Sequence, residues 1–77
     1  MTSGFLEFII SVDNNSRPLE KPITALVRLE SIMYIQKYTN EKSIVVLGKE
    51  EYFIADSSYD DIKERIRFLI DGEIKKF

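Results

Sequence analysis

Two pairs of neighbouring carboxylates, Glu50-Glu51 and Asp60-Asp61, come nearest to a chemical constellation in this sequence. Carboxylate oxygens ligate hard divalent cations, and paired carboxylates can divide acid and base work between them. Neither pair has the alternate-position spacing of a calcium loop. Glu50-Glu51 follows Gly48-Lys49 in a turn-forming stretch, and Asp60-Asp61 follows Ser58 where a helix would open. Acids suit both places without any chemistry, as turn residues and as partners of the positive end of a helix. Both pairs are therefore read as structural, and no metal or other cofactor is implied.

The composition removes most other chemistry. The 77 residues include no His and no Cys. There is then no imidazole to act as a base near neutral pH or to ligate a metal, no thiolate nucleophile, no disulfide framework and no cysteine-held zinc or iron–sulfur site. A hydrolase triad in its usual form cannot be assembled. The expectation is a protein that is not an enzyme.

A second constellation is aromatic and basic. Arg28, Tyr34, Lys37 and Tyr38 lie close enough in sequence to share neighbouring strands, where they would form a small platform for stacked bases and phosphates. The formal net charge of -2 opposes this, since nucleic-acid binders concentrate positive charge. Tyrosines and lysines are also ordinary cross-strand partners. The eleven Lys and Arg residues are scattered among thirteen Asp and Glu, a mixture typical of solvated faces.

These side chains are held by elements that can be read from periodicity. The length gives a single domain, residues 1–77. Residues 1–4 are small and polar and are expected to fray. Leu6, Phe8, Ile10 and Val12 alternate with Glu7, Ile9 and Ser11, the period of a strand. Residues 13–22 hold both prolines and the longest polar run, and are read as a mobile, extended loop. Ile23 to Leu29 alternates again, and Ser31 to Thr39 gives a third strand. Asn40-Glu41-Lys42 is a turn. Ile44 to Leu47 is continuously apolar, as in a strand buried on both sides, and Tyr52 to Ala55 is a fifth strand beyond a turn in which Gly48 is free to take positive φ. The period then changes. Ser58 with Asp61 resembles a capping box, and Tyr59, Ile62, Ile66, Leu69 and Ile70 fall on one helical stripe. Gly72 is a plausible stop, leaving residues 73–77 as a last turn or tail. The fold class is α+β: a small twisted antiparallel sheet of four to five strands, able to curl toward a barrel, with one C-terminal amphipathic helix.

Residues 25–70 resemble two bacterial families. The outline is an apolar strand, the stretch Ile32-Met33-Tyr34-Ile35, a hairpin of Ser43–Leu47 with Tyr52–Ala55, and the helix opening Ser58-Tyr59-Asp60-Asp61-Ile62. It is similar to small flagellar-operon proteins of FlbD type and to the sheet of LytTR-type DNA-binding domains. The second resemblance implies a DNA-binding regulator. The turn Gly48-Lys49-Glu50-Glu51 stands where the flagellar type carries Asn-Gly, and the basic, His-containing segment of the LytTR domain has no counterpart here.

The apolar residues outnumber what one helix can cover. If Leu6, Phe8, Ile10, Ile23, Ala25, Val27, Ile44, Val46 and Ile54 face the helix, then Leu26, Met33, Ile35, Val45, Leu47 and Phe53 are left on the other side of the sheet. Either the sheet curls over them or they meet a partner. Leu26, Ile35, Val45, Leu47 and Phe53 are accordingly the candidate partner-binding residues, with a second copy of the chain as one candidate partner. No apolar run reaches the ~18–20 residues of a membrane span, and the run Phe5–Ile10 is too short, and carries Glu7, to be a signal peptide. The expectation is a cytoplasmic, non-enzymatic regulatory or adaptor protein acting by protein–protein contact. The alternative is a nucleic-acid-binding regulator using Arg28, Tyr34, Lys37 and Tyr38.

Overall fold

The alternation of Leu6, Phe8 and Ile10 with Phe5, Glu7 and Ile9 becomes strand β1, Phe5–Val12, in the computed structural model, which describes residues 4–73 and side chains as far as Ile70. The even-numbered set is buried and the odd-numbered set exposed. β1 pairs antiparallel with β2, Pro18–Arg28, with Leu6 opposite Val27 and Phe8 opposite Ala25. The residues expected to fray lie outside the described part except Gly4, and Gly4 is fixed: its carbonyl accepts the Leu29 N–H at 3.0 Å, and the Leu69 side chain closes over its Cα.

The loop expected over residues 13–22 is shorter than that. A turn of Asp13 to Arg17 joins the strands, and Pro18 to Pro22 belong to β2. Asp13 Oδ1 accepts the N–H groups of Asn15 at 2.8 Å and Arg17 at 2.9 Å, and the Asp13 N–H donates to the Arg17 carbonyl. Such Asx geometry supplies a turn with its own hydrogen bonds, and Ser16 takes the positive φ of 66° that it needs. Pro18 is accommodated as the first residue of β2, and Pro22 because the ladder is interrupted there. Ile10 faces Ile23 and Val12 faces Pro18, so residues 19–22 bulge out opposite Ser11 alone. A residue without an N–H is tolerated at a bulge, where no ladder bond is required of it.

The chain then makes a 3-10 turn, Leu29–Ser31, and enters β3, Tyr34–Lys37. The strand expected from Ser31 to Thr39 is trimmed at both ends. Ser31 is in the 3-10 turn, and the N–H groups of Tyr38 and Thr39 both donate to the Lys42 carbonyl in a tight reversal. β4, Ser43–Gly48, and β5, Glu51–Ala55, complete a second antiparallel sheet of order β3-β4-β5. Gly48 does not supply the positive φ at the β4–β5 turn; Glu50 does, at 143°. That conformation is costly for a residue with a side chain, and the short turn imposes it.

Five strands are thus present, divided into a pair and a triplet rather than joined in one sheet or closed into a barrel. Among the described residues a single backbone bond bridges them, from the Asp56 N–H to the Ile9 carbonyl at 2.8 Å. Helix α1, Tyr59–Glu73, runs through Gly72 rather than stopping there; residues 74–77 of the expected tail lie outside the described part. Ser58 Oγ accepts the Asp61 N–H at 3.1 Å, the capping contact that the sequence suggests.

The core lies between β1, the triplet and α1. Leu6, Phe8, Val45, Ala55 and Ile62 form its centre, and Phe8 meets Phe53 edge to face at 5.4 Å. Ser43 is buried among them with its hydroxyl donated to the Ser57 carbonyl. The triplet therefore turns Ser43, Val45, Phe53 and Ala55 inward, the opposite of the facing expected for β4 and β5. Its other face is not bare, because Ile54 there is also buried.

Candidate docking surface

Of the five residues expected to form a partner-binding patch, only Leu26 stands in solvent, at 66% exposure. Val45 is fully buried, and Ile35, Leu47 and Phe53 pack against the core. Register explains this: Ile35, Val45 and Phe53 are directly opposite one another across β3, β4 and β5 and share the inward face. The patch expected from these five is therefore corrected to a core layer plus one exposed leucine on β2, on the face that also carries Phe5 and Ile9.

The aromatic–basic set is also divided. Arg28 lies on β2, where it is ion-paired with Glu30 at 3.2 Å. Tyr34 and Lys37 differ by an odd number of positions on β3 and so point to opposite faces. Tyr38 lies just beyond β3, and its hydroxyl is hydrogen-bonded to Ser16 Oγ at 2.8 Å, tying the β1–β2 turn to the triplet. Tyr52, not among the expected residues, joins Tyr34: both are opposite Val46 and share the outer face. Finding it requires the β3–β4–β5 register, which the sequence does not display.

Two hollows flank β3. On the outer face, a depression of about 500 Å³ is bordered by Met33, Tyr34, Gln36, Val46, Lys49 and Tyr52. On the helix side, a groove of about 390 Å³ runs between the β3 approach and α1, walled by Leu29, Ile32, Ile35, Ile62 and Ile66. Met33 and Tyr34 border both, so the start of β3 forms the ridge between them. Among the described residues Lys63 is the only charged one lining the groove, with its ammonium 5.6 Å from the centre of the Tyr59 ring. The groove has the size and apolar character of ligand or side-chain sites in general. Tyr59 belongs to the apolar stripe that the sequence shows and Met33 to its apolar surplus, whereas Lys63 looks like an ordinary helix-surface residue and is placed at the groove only by the structure.

The electrostatics elsewhere are structural. Asp56 is partly buried, which works to raise its pKa. The Lys42 ammonium at 2.6 Å and a hydrogen bond from Ser11 outweigh this and hold it below the usual carboxylate value. Asp13 is also held low, by the Arg17 and then the Asn15 backbone N–H groups. Glu50 and Glu51 occupy the β4–β5 turn and strand start, and Asp60 and Asp61 the first turn of α1. Among the described residues no group of three carboxylates gathers that could hold a metal ion, and no helix is long and apolar enough to cross a membrane.

No family model, curated protein or solved structure matches the chain. The functional reading therefore rests on the geometry of its own surface.

Proposed function

We propose that this chain is a small non-enzymatic regulatory or adaptor protein that acts through protein contact, with β3 and its two flanking hollows as the docking surface. The observation that carries this reading is that Met33 and Tyr34, both more than half exposed, form a ridge between two apolar depressions. Aromatic and methionine side chains beside desolvated pockets are what interface anchors are made of. The test is a photo-crosslinking residue placed at Tyr34, with Glu20 on the β2 bulge as the control position. Discrete adducts with another protein are expected from position 34 and not from position 20, and Met33→Glu should abolish them at unchanged melting temperature. Equal adducts from both positions, or adducts indifferent to Met33→Glu, would overturn the reading.

Base stacking is the second reading, favoured by the shared face of Tyr34 and Tyr52. Lys49 at that face is accompanied by Glu50, so little net positive charge is available for phosphates.

A further inference from the structure

The helix-side groove is what folding leaves uncovered of the apolar stripe of α1. Ile62 at its floor is fully buried, but Leu29, Ile32, Ile35 and Ile66 around it are only half-buried. Aliphatic side chains therefore still meet water along a concavity of about 390 Å³. That volume is within the range of small-molecule sites, which combine apolar walls with a few placed polar groups.

The charge in this groove has one sign. Lys63 is exposed while its neighbour Ile62 is buried, so the ammonium stands at the mouth and the aliphatic walls lie beneath it. Its ammonium rests against the Tyr59 ring and, among the described residues, belongs to no ion pair. The nearby helix acids Asp61 and Glu64 are engaged elsewhere, with Arg65 at 3.9 Å and Arg67 at 3.4 Å. Among the described residues no Asp or Glu borders the groove, although the chain holds thirteen. A lone cation above an aliphatic trough matches a ligand with one anionic end and an apolar remainder. A polyanion would find no second cation there.

We propose that the groove binds a free amphiphile of the medium-chain alkanoate class, its chain along Ile35, Ile62 and Ile66 and its carboxylate at Lys63. Chain burial supplies the affinity and the ammonium selects the head group. This site goes beyond the docking reading and does not rest on it, although a partner side chain reaching into the groove would compete with the ligand.

The experiment uses the full chain with isoleucine methyl groups followed by NMR, and decanoate below its micellar concentration as the probe. Saturable shifts are expected at Ile35, Ile62 and Ile66, and none at Ile9 or Ile23 on the β1–β2 pair. Octanoate should bind more weakly by about two- to four-fold for each methylene removed. Decanol and decyltrimethylammonium should each bind about three- to five-fold more weakly than decanoate or worse. Lys63→Gln should erase the preference for decanoate over decanol at unchanged melting temperature. Equal binding of decyltrimethylammonium, or a preference retained in Lys63→Gln, would overturn the role of the head group. Affinity indifferent to chain length, or shifts as large at Ile9 and Ile23, would overturn the groove as the seat of the chain. Binding to phosphatidylglycerol vesicles without any response to monomeric decanoate would replace the free ligand by a membrane surface and overturn the proposal. Absent decanoate shifts with persisting position-34 crosslinks sink this site alone, and lost crosslinks with the shifts intact sink the docking reading alone.

Discussion

The two sheets each expose an edge, and the edges are built differently. β2 is an eleven-residue strand, long enough to template another chain. It carries Pro18 and Pro22, a bulge over residues 19–22, and the charged pair Glu20-Lys21. Prolines, bulges and charges are the usual means by which proteins keep an exposed edge from pairing. β3 is only four residues long, yet it has no proline and no bulge, and it is flanked by apolar hollows on both faces. The longer edge is thus blunted by prolines, a bulge and charge, and the shorter one by its length and Lys37 alone.

The contrast is broken most severely through the core beneath β3. Val45→Glu places an unpaired carboxylate in the fully buried centre of the triplet and should abolish folding, because such burial costs more than a domain this small can lose. Leu26→Glu, on the exposed face of β2, should change stability by no more than about 0.5 kcal/mol. Circular dichroism and thermal melts distinguish the two, and a folded Val45→Glu protein would contradict the facing described here. A smaller effect is expected from arming the blunted edge. Pro22→Thr should alter stability by about 1 kcal/mol or less, but should raise the sedimentation-average mass relative to wild type as β2 becomes able to pair. Unchanged mass would mean that the proline does not guard the edge.

The smallest effect concerns the joint between the two regions, where Asp56 bonds Lys42 and its N–H reaches Ile9. The Asp56 pKa is lower in the folded chain than in the unfolded one. Its contribution is therefore complete above the unfolded value near about 3.9 and is lost as pH falls through the folded value. For a partly solvated pair this amounts to about 1 kcal/mol or less. Melting temperature should fall on acidification below about pH 4, and Asp56→Asn should flatten that slope. Asp13, also held low, will keep part of it. An identical slope in Asp56→Asn would remove the joint from the account.

The elements that could be read from the sequence are those with a single clear period. β1 alternates cleanly, and α1 shows both its Ser58 cap and the Ile62–Ile66 stripe. The facing of β4 and β5 could not be read, because Ile44, Val45, Val46 and Leu47 are apolar on both parities and either orientation satisfies the pattern. The start of β2 was concealed by prolines and charges that look like a loop until the bulge opposite Ser11 is known. The ridge at Met33 and Tyr34 was hidden for a further reason. A strand becomes an edge through which partners it lacks, and pairing across distant segments leaves no mark on local composition.

The contact of Arg65 with the Glu7 carbonyl spans 58 positions, and Phe8 shares the core with Ile62. The first strand and the final helix thus close the same interior. An isolated two-stranded hairpin is marginal in water, so the β1–β2 pair has little reason to persist before α1 arrives, and α1 has little to pack on without it. Bringing β1 against α1 closes a loop of most of the chain, an entropic cost that the pairings between neighbouring strands do not carry. Assembly and disassembly should then be cooperative, with amides of β1 and β4 exchanging through one shared opening despite the single bond that joins their sheets.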